Sequence, residues 1–330
     1  MRRLLVLLCV VALAACARPP DAVKQQAYVF GTLVEVSVAD APEAQARAAI
    51  ADVLARFDAM HRMLHAWQPS ELSRLNDALA RGEPATVAPE LAAMLRDAQA
   101  LAAQSDDLFN PAIGGLIALW GFQANTPQGR VPDAAAIAAW VGRHPRMADL
   151  RIDGNLVSSA NPAVRLDLGG YAKGRALDDA AAILKRHGIR DALINIGGNV
   201  LALGRHGDRP WRVGIQHPRA PGTLATLELQ DGEAIGTSGD YQRYFEADGA
   251  RYCHLIDPRS GRPAAGLQSL TILVSGAAAG TRSDALSKPL FIAGPAHLAD
   301  AAGRLGLADW LAVDAAGHMQ VSPAMQARLQ

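Results

Sequence analysis

The sequence predicts an α+β fold in which antiparallel sheets pack against helices. Three observations carry this. Segments that alternate apolar and polar residues are punctuated by Asp-Gly turns at 153–154, 231–232 and 248–249, a hairpin signal. Other segments place apolar residues at helical spacing. Strict strand–helix–strand alternation is absent, which argues against a doubly wound nucleotide fold.

Each element follows in order. Residues 27–40, AYVFGTLVEVSVAD, read as a strand interrupted at Gly31. Residues 43–65 set Ala46, Ile50, Val53, Leu54, Phe57, Met60 and Leu64 at helical spacing, with Pro42 just ahead. A second helix is predicted over 89–104, opening on Pro89, and a third over 133–143. Residues 150–168 hold a hairpin around Asp153-Gly154, and 174–187 a helix. Residues 192–204, ALINIGGNVLALG, read as an apolar strand broken by Gly197-Gly198. Strands are predicted within 211–218, 223–239, 243–258 and 269–276, and helices over 280–291, 295–305 and 322–329.

Residues 1–15 have the layout of a lipoprotein signal peptide. Arg2 and Arg3 precede the apolar run Leu4–Leu13, which is too short for a stable span, and Leu13-Ala14-Ala15-Cys16 resembles a lipobox. Cys16 is the expected lipidation site, residues 16–26 a polar tether, and 27–330 a single domain. An ordinary cleaved signal peptide is the simpler alternative. The expected location is the periplasmic side of a bacterial cell envelope, lipid-anchored to the inner or outer membrane. Acylation of Cys16 would leave Cys253 without a partner, so stability must come from the core; half of the residues are hydrophobic. Lys and Arg number 32 and Asp and Glu 32, with no basic run, so nucleic-acid binding has no electrostatic support.

Four stretches carry chemistry. In RLDLGGYAKGRALD (165–178), Gly169-Gly170 lets backbone N–H groups approach an anion, and Lys173 falls in the first turn of a helix, where an anionic partner is favoured. It matches neither the dinucleotide fingerprint nor the Walker loop. A tight turn with a solvated lysine fits it too. Thr237-Ser238-Gly239-Asp240 is a compact hydroxyl-rich turn, and His254 shares a strand face with Tyr252. Asp284, Ser287 and Lys288 lie at i, i+3 and i+4 on one helix face; this spacing suits a hard cation or an ordinary ion pair.

In order, FGTLVEV, WQPSELSRLN, LFNPAIGGLIALWGF, LDLGGYAKGRALD, ALINIGGNVLALG, TSGDYQRYFEADGARYCHLIDPRSGRP and SDALSKPLFIAG resemble the ApbE family of FAD:protein FMN transferases, over nearly all of residues 28–294. The resemblance implies a T-fold-like α+β arrangement with an FAD cleft between lobes. It implies transfer of FMN from FAD to a Ser or Thr hydroxyl of an envelope redox protein, with release of AMP and with Mg²⁺ present. The acceptor would carry a Ser/Thr-Gly-Ala-Thr type motif, as in subunits of membrane redox pumps. By the same resemblance Phe30, Gly31, Thr32 and Trp67 border the flavin, with Asn76 nearby, and Phe109 and Asn110 line the nucleotide cleft. Asp167 holds a polar part of FAD, while Thr237 and Ile256 belong to the cofactor site. Lys173 faces the phosphates, and His254, with a near-neutral pKa, is the expected general base or phosphate contact. The metal would sit among the Gly170 carbonyl, Asp284, Ser287 and position 288.

Two departures from the family pattern matter. Asn110 stands where an aspartate is usual. Lys288, followed by Pro289, stands where a threonine metal ligand is usual, and a protonated lysine cannot ligate. Either Lys288 swings aside and Mg²⁺ binds, or its ammonium supplies the charge itself. An FAD-binding lipoprotein or an FAD pyrophosphatase with weakened transfer is the alternative function.

Overall fold

The computed structural model describes residues 22–124 and 129–330; the expected signal peptide and Cys16 lie outside them. The strands β1 (Val23–Val29) and β2 (Thr32–Ala39) are followed by α1 (Glu43–Leu64), α2 (Glu71–Ala80), the short β3 (Ala85–Thr86) and α3 (Pro89–Gln104). Next come α4 (Gly114–Leu119), α5 (Ala134–Gly142), β4 (Leu150–Asp153), β5 (Leu156–Ser159) and α6 (Ala172–Arg186). The strands β6 (Asp191–Ile196), β7 (Asn199–Leu203), β8 (Trp211–Gln216), β9 (Thr223–Leu229) and β10 (Ala234–Gly239) lead to two small pairs. These are β11 (Tyr244–Ala247) with β12 (Ala250–Cys253), and β13 (Ile256–Asp257) with β14 (Arg262–Pro263). The last described elements are β15 (Leu267–Val274), α7 (Ala279–Ala293), α8 (Leu298–Arg304), β16 (Asp309–Asp314), β17 (Met319–Val321) and α9 (Pro323–Gln326).

An eight-stranded sheet in the order β1-β2-β6-β7-β10-β15-β16-β17 forms the centre, and every pairing in it is antiparallel. The helices α1, α6 and α7 cover one face through a core that includes Ile50, Phe57, Leu177, Leu184, Leu286 and Phe291. The β8–β9 hairpin and α9 cover part of the other face with Trp211, Val213, Leu227 and Met325. Covered on both sides, β15 is buried along its whole length, including its polar Gln268, Ser269 and Thr271. Around Trp120 a third cluster forms, stacked on Tyr252 and Phe245.

Several elements differ from the sequence expectation. The predicted strand 27–40 is a hairpin that turns on Phe30 (φ 56°) and Gly31 (φ 72°), and it reaches back to Val23 into the expected tether. Likewise 192–204 is a hairpin turning on Gly197 (φ 57°) and Gly198 (φ 92°). Two-residue turns with positive φ match the twist of paired strands, so each interruption is a reversal. The Asp231-Gly232 turn joins β9 to β10, which belong to different sheets. The unpredicted α2 is started by a capping box between Ser70 and Ser73, and it buries Leu72, Leu75 and Leu79. Helix α7 continues through Pro289. Burial of nearly the whole helix offsets the roughly 3 kcal/mol an interior proline costs. Cys253 is buried without a disulfide, and burial pushes its thiol up to about 12, so it is inert packing.

Helices α6 and α7 touch backbone to backbone. A Cβ added at Gly174 would lie 2.3 Å from the Gly280 carbonyl oxygen, and one at Gly280 would lie 2.6 Å from that of Gly174. The two helices also cap each other. Asp178 of α6 accepts from the Gly280 and Thr281 N–H groups at 2.9 and 2.8 Å, and Asp284 of α7 accepts from the Gly174 N–H at 2.9 Å. Each carboxylate thus satisfies donors that a helix start leaves unpaired.

Gly174→Ala is therefore expected to destabilise the protein by about 1–3 kcal/mol through overpacking. Gly303→Ala, exposed on α8 with nothing near its added methyl, is expected to stabilise by up to about 1 kcal/mol. Urea unfolding of the two variants checks the contrast; equal effects would contradict the close crossing.

Candidate active site

All three hydrophobic clusters contribute to one cleft of about 1180 Å³, where Phe109, Phe122 and Ile215 come from different clusters. Small-molecule pockets run to roughly 300–1,000 Å³, so this cleft is a large one. Of the residues singled out in the sequence, Phe30, Gly31, Thr32, Trp67, Phe109, Asn110, Asp167, Gly170, Lys173, Thr237, His254, Ile256 and Lys288 line it.

One rim is aromatic. The β1–β2 turn holds Phe30 in the left-handed region, a conformation uncommon for a bulky residue. Its ring packs 6.0 Å from Phe57 and 5.8 Å from His61, which offsets the strain. The series continues through His65 to Trp67, whose ring centroids are 4.7 Å apart. Burial, and then the neighbouring His61, lower the His65 pKa. The guanidinium of Arg243 lies 5.5 Å from the Trp67 centroid.

Arg243 escaped the sequence reading. It sits in the turn after β10, donates to the Phe122 and Ala124 carbonyls, and lines the cleft. Burial lowers its pKa, and Asp167 pulls the other way. Asp167 accepts from the Gly169 N–H at 2.9 Å; burial raises its pKa, against the pull of that N–H, Arg243 and Arg165. It is a carboxylate on a lining that also carries the cations Lys173, Arg243 and Lys288.

His254 differs from its expected near-neutral state. Burial, then Arg243 and Lys173, push its pKa down to about 3. The Nδ1 atom lies 3.2 Å from the Arg243 carbonyl oxygen, which can only accept, so Nδ1 carries the proton. Nε2 is then left with its lone pair, the form a base requires.

The cluster at 284–288 is bonded within the protein. Asp284 is fully buried. Lys288 Nζ donates to Asp284 Oδ1 and, at 2.7 Å, to the Asp284 carbonyl; Lys173 Nζ is 3.8 Å from Oδ1. Burial alone would raise the Asp284 pKa, but the two lysines hold it below the usual carboxylate range. Burial pushes Lys288 down to about 8, against the pull of Asp284. Ser287 Oγ donates to the Asp284 carbonyl at 2.8 Å and is 2.8 Å from Ser238 Oγ. Neither Asp284 nor Ser287 lines the cleft. Among the described residues, no three His, Cys, Asp or Glu side chains form a metal-binding group. The donor set as placed does not fit a divalent cation.

Two asparagines do structural work. Asn76 lies off the cleft lining; its amide donates to the Leu166 carbonyl at 2.9 Å and accepts from the Leu166 N–H at 2.6 Å, fastening α2 to the segment leading to Asp167. Asn110 accepts from the Ala112 N–H at 3.0 Å and donates to the Pro145 carbonyl at 2.9 Å. An ionised aspartate could not make the second bond, which accounts for the amide at this position.

The profile of the ApbE family matches residues 30–309. An FAD:protein FMN transferase of Rhodobacter capsulatus is 46% identical over 314 residues, covering 95% of this chain. The chain spans only 59% of that relative's length. An FAD:protein FMN transferase of Klebsiella pneumoniae is 32% identical over 293 residues, 86% of this chain and 82% of the relative. The solved ApbE protein of Thermotoga maritima has a TM-score of 0.85 at 30% identity, over 94% of this chain and 99% of that one. The apo form of the flavinyl transferase ApbE of Pseudomonas stutzeri gives 0.80 at 30% identity, over 93% and 96%. A match across most of the chain, on the same fold and around the same blocks that build the cleft, means that this chain belongs to the ApbE family.

Proposed function

We propose that this chain is an FAD:protein FMN transferase, moving FMN from FAD to a Ser or Thr hydroxyl of another protein and releasing AMP. The observation that carries the reading is a single cleft combining an aromatic rim, the cations Lys173 and Arg243, and a proton-free imidazole nitrogen on His254. The names of the relatives point the same way.

In this reading the isoalloxazine lies against the Phe30–Trp67 rim, and Asp167 accepts a hydrogen bond from a hydroxyl or amine of FAD. Lys173 and Arg243 attract the pyrophosphate. The acceptor hydroxyl gives its proton to His254 Nε2 while its oxygen bonds to the FMN phosphorus. The bond from that phosphorus to the bridging oxygen breaks, and AMP leaves with that oxygen and the bonding pair. Fixed cations stabilise the charge that gathers on the leaving phosphate, a larger effect in a cleft partly shielded from water. Burial first, and then the same cations, depress the His254 pKa, so a bound pyrophosphate that offsets the cations makes the base stronger. The Asp284 and Ser287 oxygens are already bonded within the protein, so no step is routed through a metal. In this reading the leader expected over 1–15 takes the enzyme to the periplasmic side of an envelope membrane, where redox-pump subunits would be its acceptors.

Incubation with FAD and a peptide of Ser/Thr-Gly-Ala-Thr type is expected to give an FMN-phosphoryl adduct and an equal amount of AMP by mass spectrometry. FAD binding with neither product, or free FMN without adduct, would overturn the reading. His254→Ala is expected to lower kcat by about 10²–10⁴-fold while affecting FAD affinity far less.

The pH behaviour is a separate test. The imidazole-nitrogen NMR shifts of His254 in the FAD-free protein are expected to stay those of the neutral ring from about pH 5 upward, with the midpoint moving up when FAD binds. A midpoint near 6.5 in the free protein would contradict the cation-depressed site.

A further inference from the structure

We infer that Lys288 stands in for a divalent cation: its ammonium, seated on the side-chain and main-chain oxygens of Asp284, supplies the positive charge beside the FAD pyrophosphate, so this chain binds FAD without a metal ion. The inference rests on the transferase reading and adds to it the source of the charge.

Four observations lead here. Lys288 Nζ bonds both Asp284 Oδ1 and the Asp284 carbonyl, so the ammonium already occupies these two oxygens. The other carboxylate oxygen is engaged by the Gly174 N–H that ties α6 to α7. The Ser287 hydroxyl spends its proton on the Asp284 carbonyl and shares its oxygen with Ser238. The Lys288 stem lies along Gly170: a Cβ added there would be 3.4 Å from Lys288 Cε, so the side chain is laid across the glycine backbone at the cleft wall.

Lys288 is also held in place. Its side chain is 12% exposed, and its backbone belongs to a buried helix that runs unbroken through Pro289. Swinging aside would leave a fully buried carboxylate with only Lys173, at 3.8 Å, for charge balance, a strongly unfavourable exchange. Mg²⁺ needs near-octahedral oxygen ligands at short range, and two ammonium groups beside one carboxylate repel it. With both lysines lining the cleft, the cluster carries a net positive charge toward an anionic ligand.

The test is FAD affinity, read by quenching of flavin fluorescence in EDTA and in excess Mg²⁺. Wild-type affinity is expected to agree within about twofold between the two buffers, and calorimetric titration of the FAD-free protein with Mg²⁺ alone is expected to show no binding heat. Lys288→Thr is expected to lose about tenfold or more in FAD affinity in EDTA and to recover it with Mg²⁺; Lys288→Met is expected to lose it without recovery. A wild-type protein that loses tenfold in EDTA, or that binds Mg²⁺ alone, would overturn the inference and leave the transferase reading standing. Lys288→Thr binding FAD in EDTA as tightly as wild type would also overturn it. Failure to bind FAD in either buffer would sink the transferase reading itself.

Discussion

The contact between α6 and α7 is the constraint on which the site depends. Only two residues without side chains, Gly174 and Gly280, let these helices meet at the backbone. At that distance Asp284 can reach back to the start of α6, and Asp178 can reach the start of α7. Neither helix start has a side-chain cap from its own N-cap residue, so the reciprocal carboxylates supply what the local sequence lacks. Gly236 repeats the device on the sheet side: a Cβ there would come 2.2 Å from the Ser283 carbonyl oxygen, so α7 is pressed onto β10 as closely as onto α6. Asp284 is therefore a structural cap first. Its remaining oxygen then dictates where Lys288 and Lys173 point.

The cleft follows from the same packing. A single core would bury its own centre; here three clusters each end at a common wall, and the space between them stays open. The wall is apolar on one side and cationic on the other, which matches a ligand with a flat aromatic end and a charged middle. The low polarity that makes the rim a good stacking surface also makes unpaired charge expensive. The cations are accordingly partnered: Arg243 by two carbonyls, and Lys288 by Asp284. His254 is not given a carboxylate, and it stays neutral.

Much of the fold was legible in the sequence where the pattern is local. The helices at 43–64 and 89–104 end within a residue of expectation, because long apolar periodicity and Pro89 at a helix start fix both ends. The failures have local causes too. Phe30-Gly31 and Gly197-Gly198 looked like flaws in a strand because an interruption and a reversal share the same residues until the pairing is known. Helix α2 was hidden by its short length, although Ser70 and Ser73 were its capping signal. The helix expected over 280–291 does run through Pro289, and tertiary burial sustains it there. In the site, Arg243 went unnoticed because a lone arginine in a turn has no pattern of its own. Asn76 was read toward the cofactor, and both ends of its amide are instead taken by Leu166.

By itself the sequence determined the longer helices, the α+β class and the blocks that mark the family, since these rest on periodicity, turn chemistry and short motifs. The tertiary structure decided which groups face each other. Gly174 and Asp284 are 110 positions apart, and Arg56 and Asp179, bonded at 2.8 Å, are 123 apart. No short-range pattern encodes such pairs. Whether Lys288 is a solvated helix lysine or a buried ion-pair partner depends on how closely two backbones approach. That distance is set by side-chain volume at a helix crossing, which a linear reading does not contain.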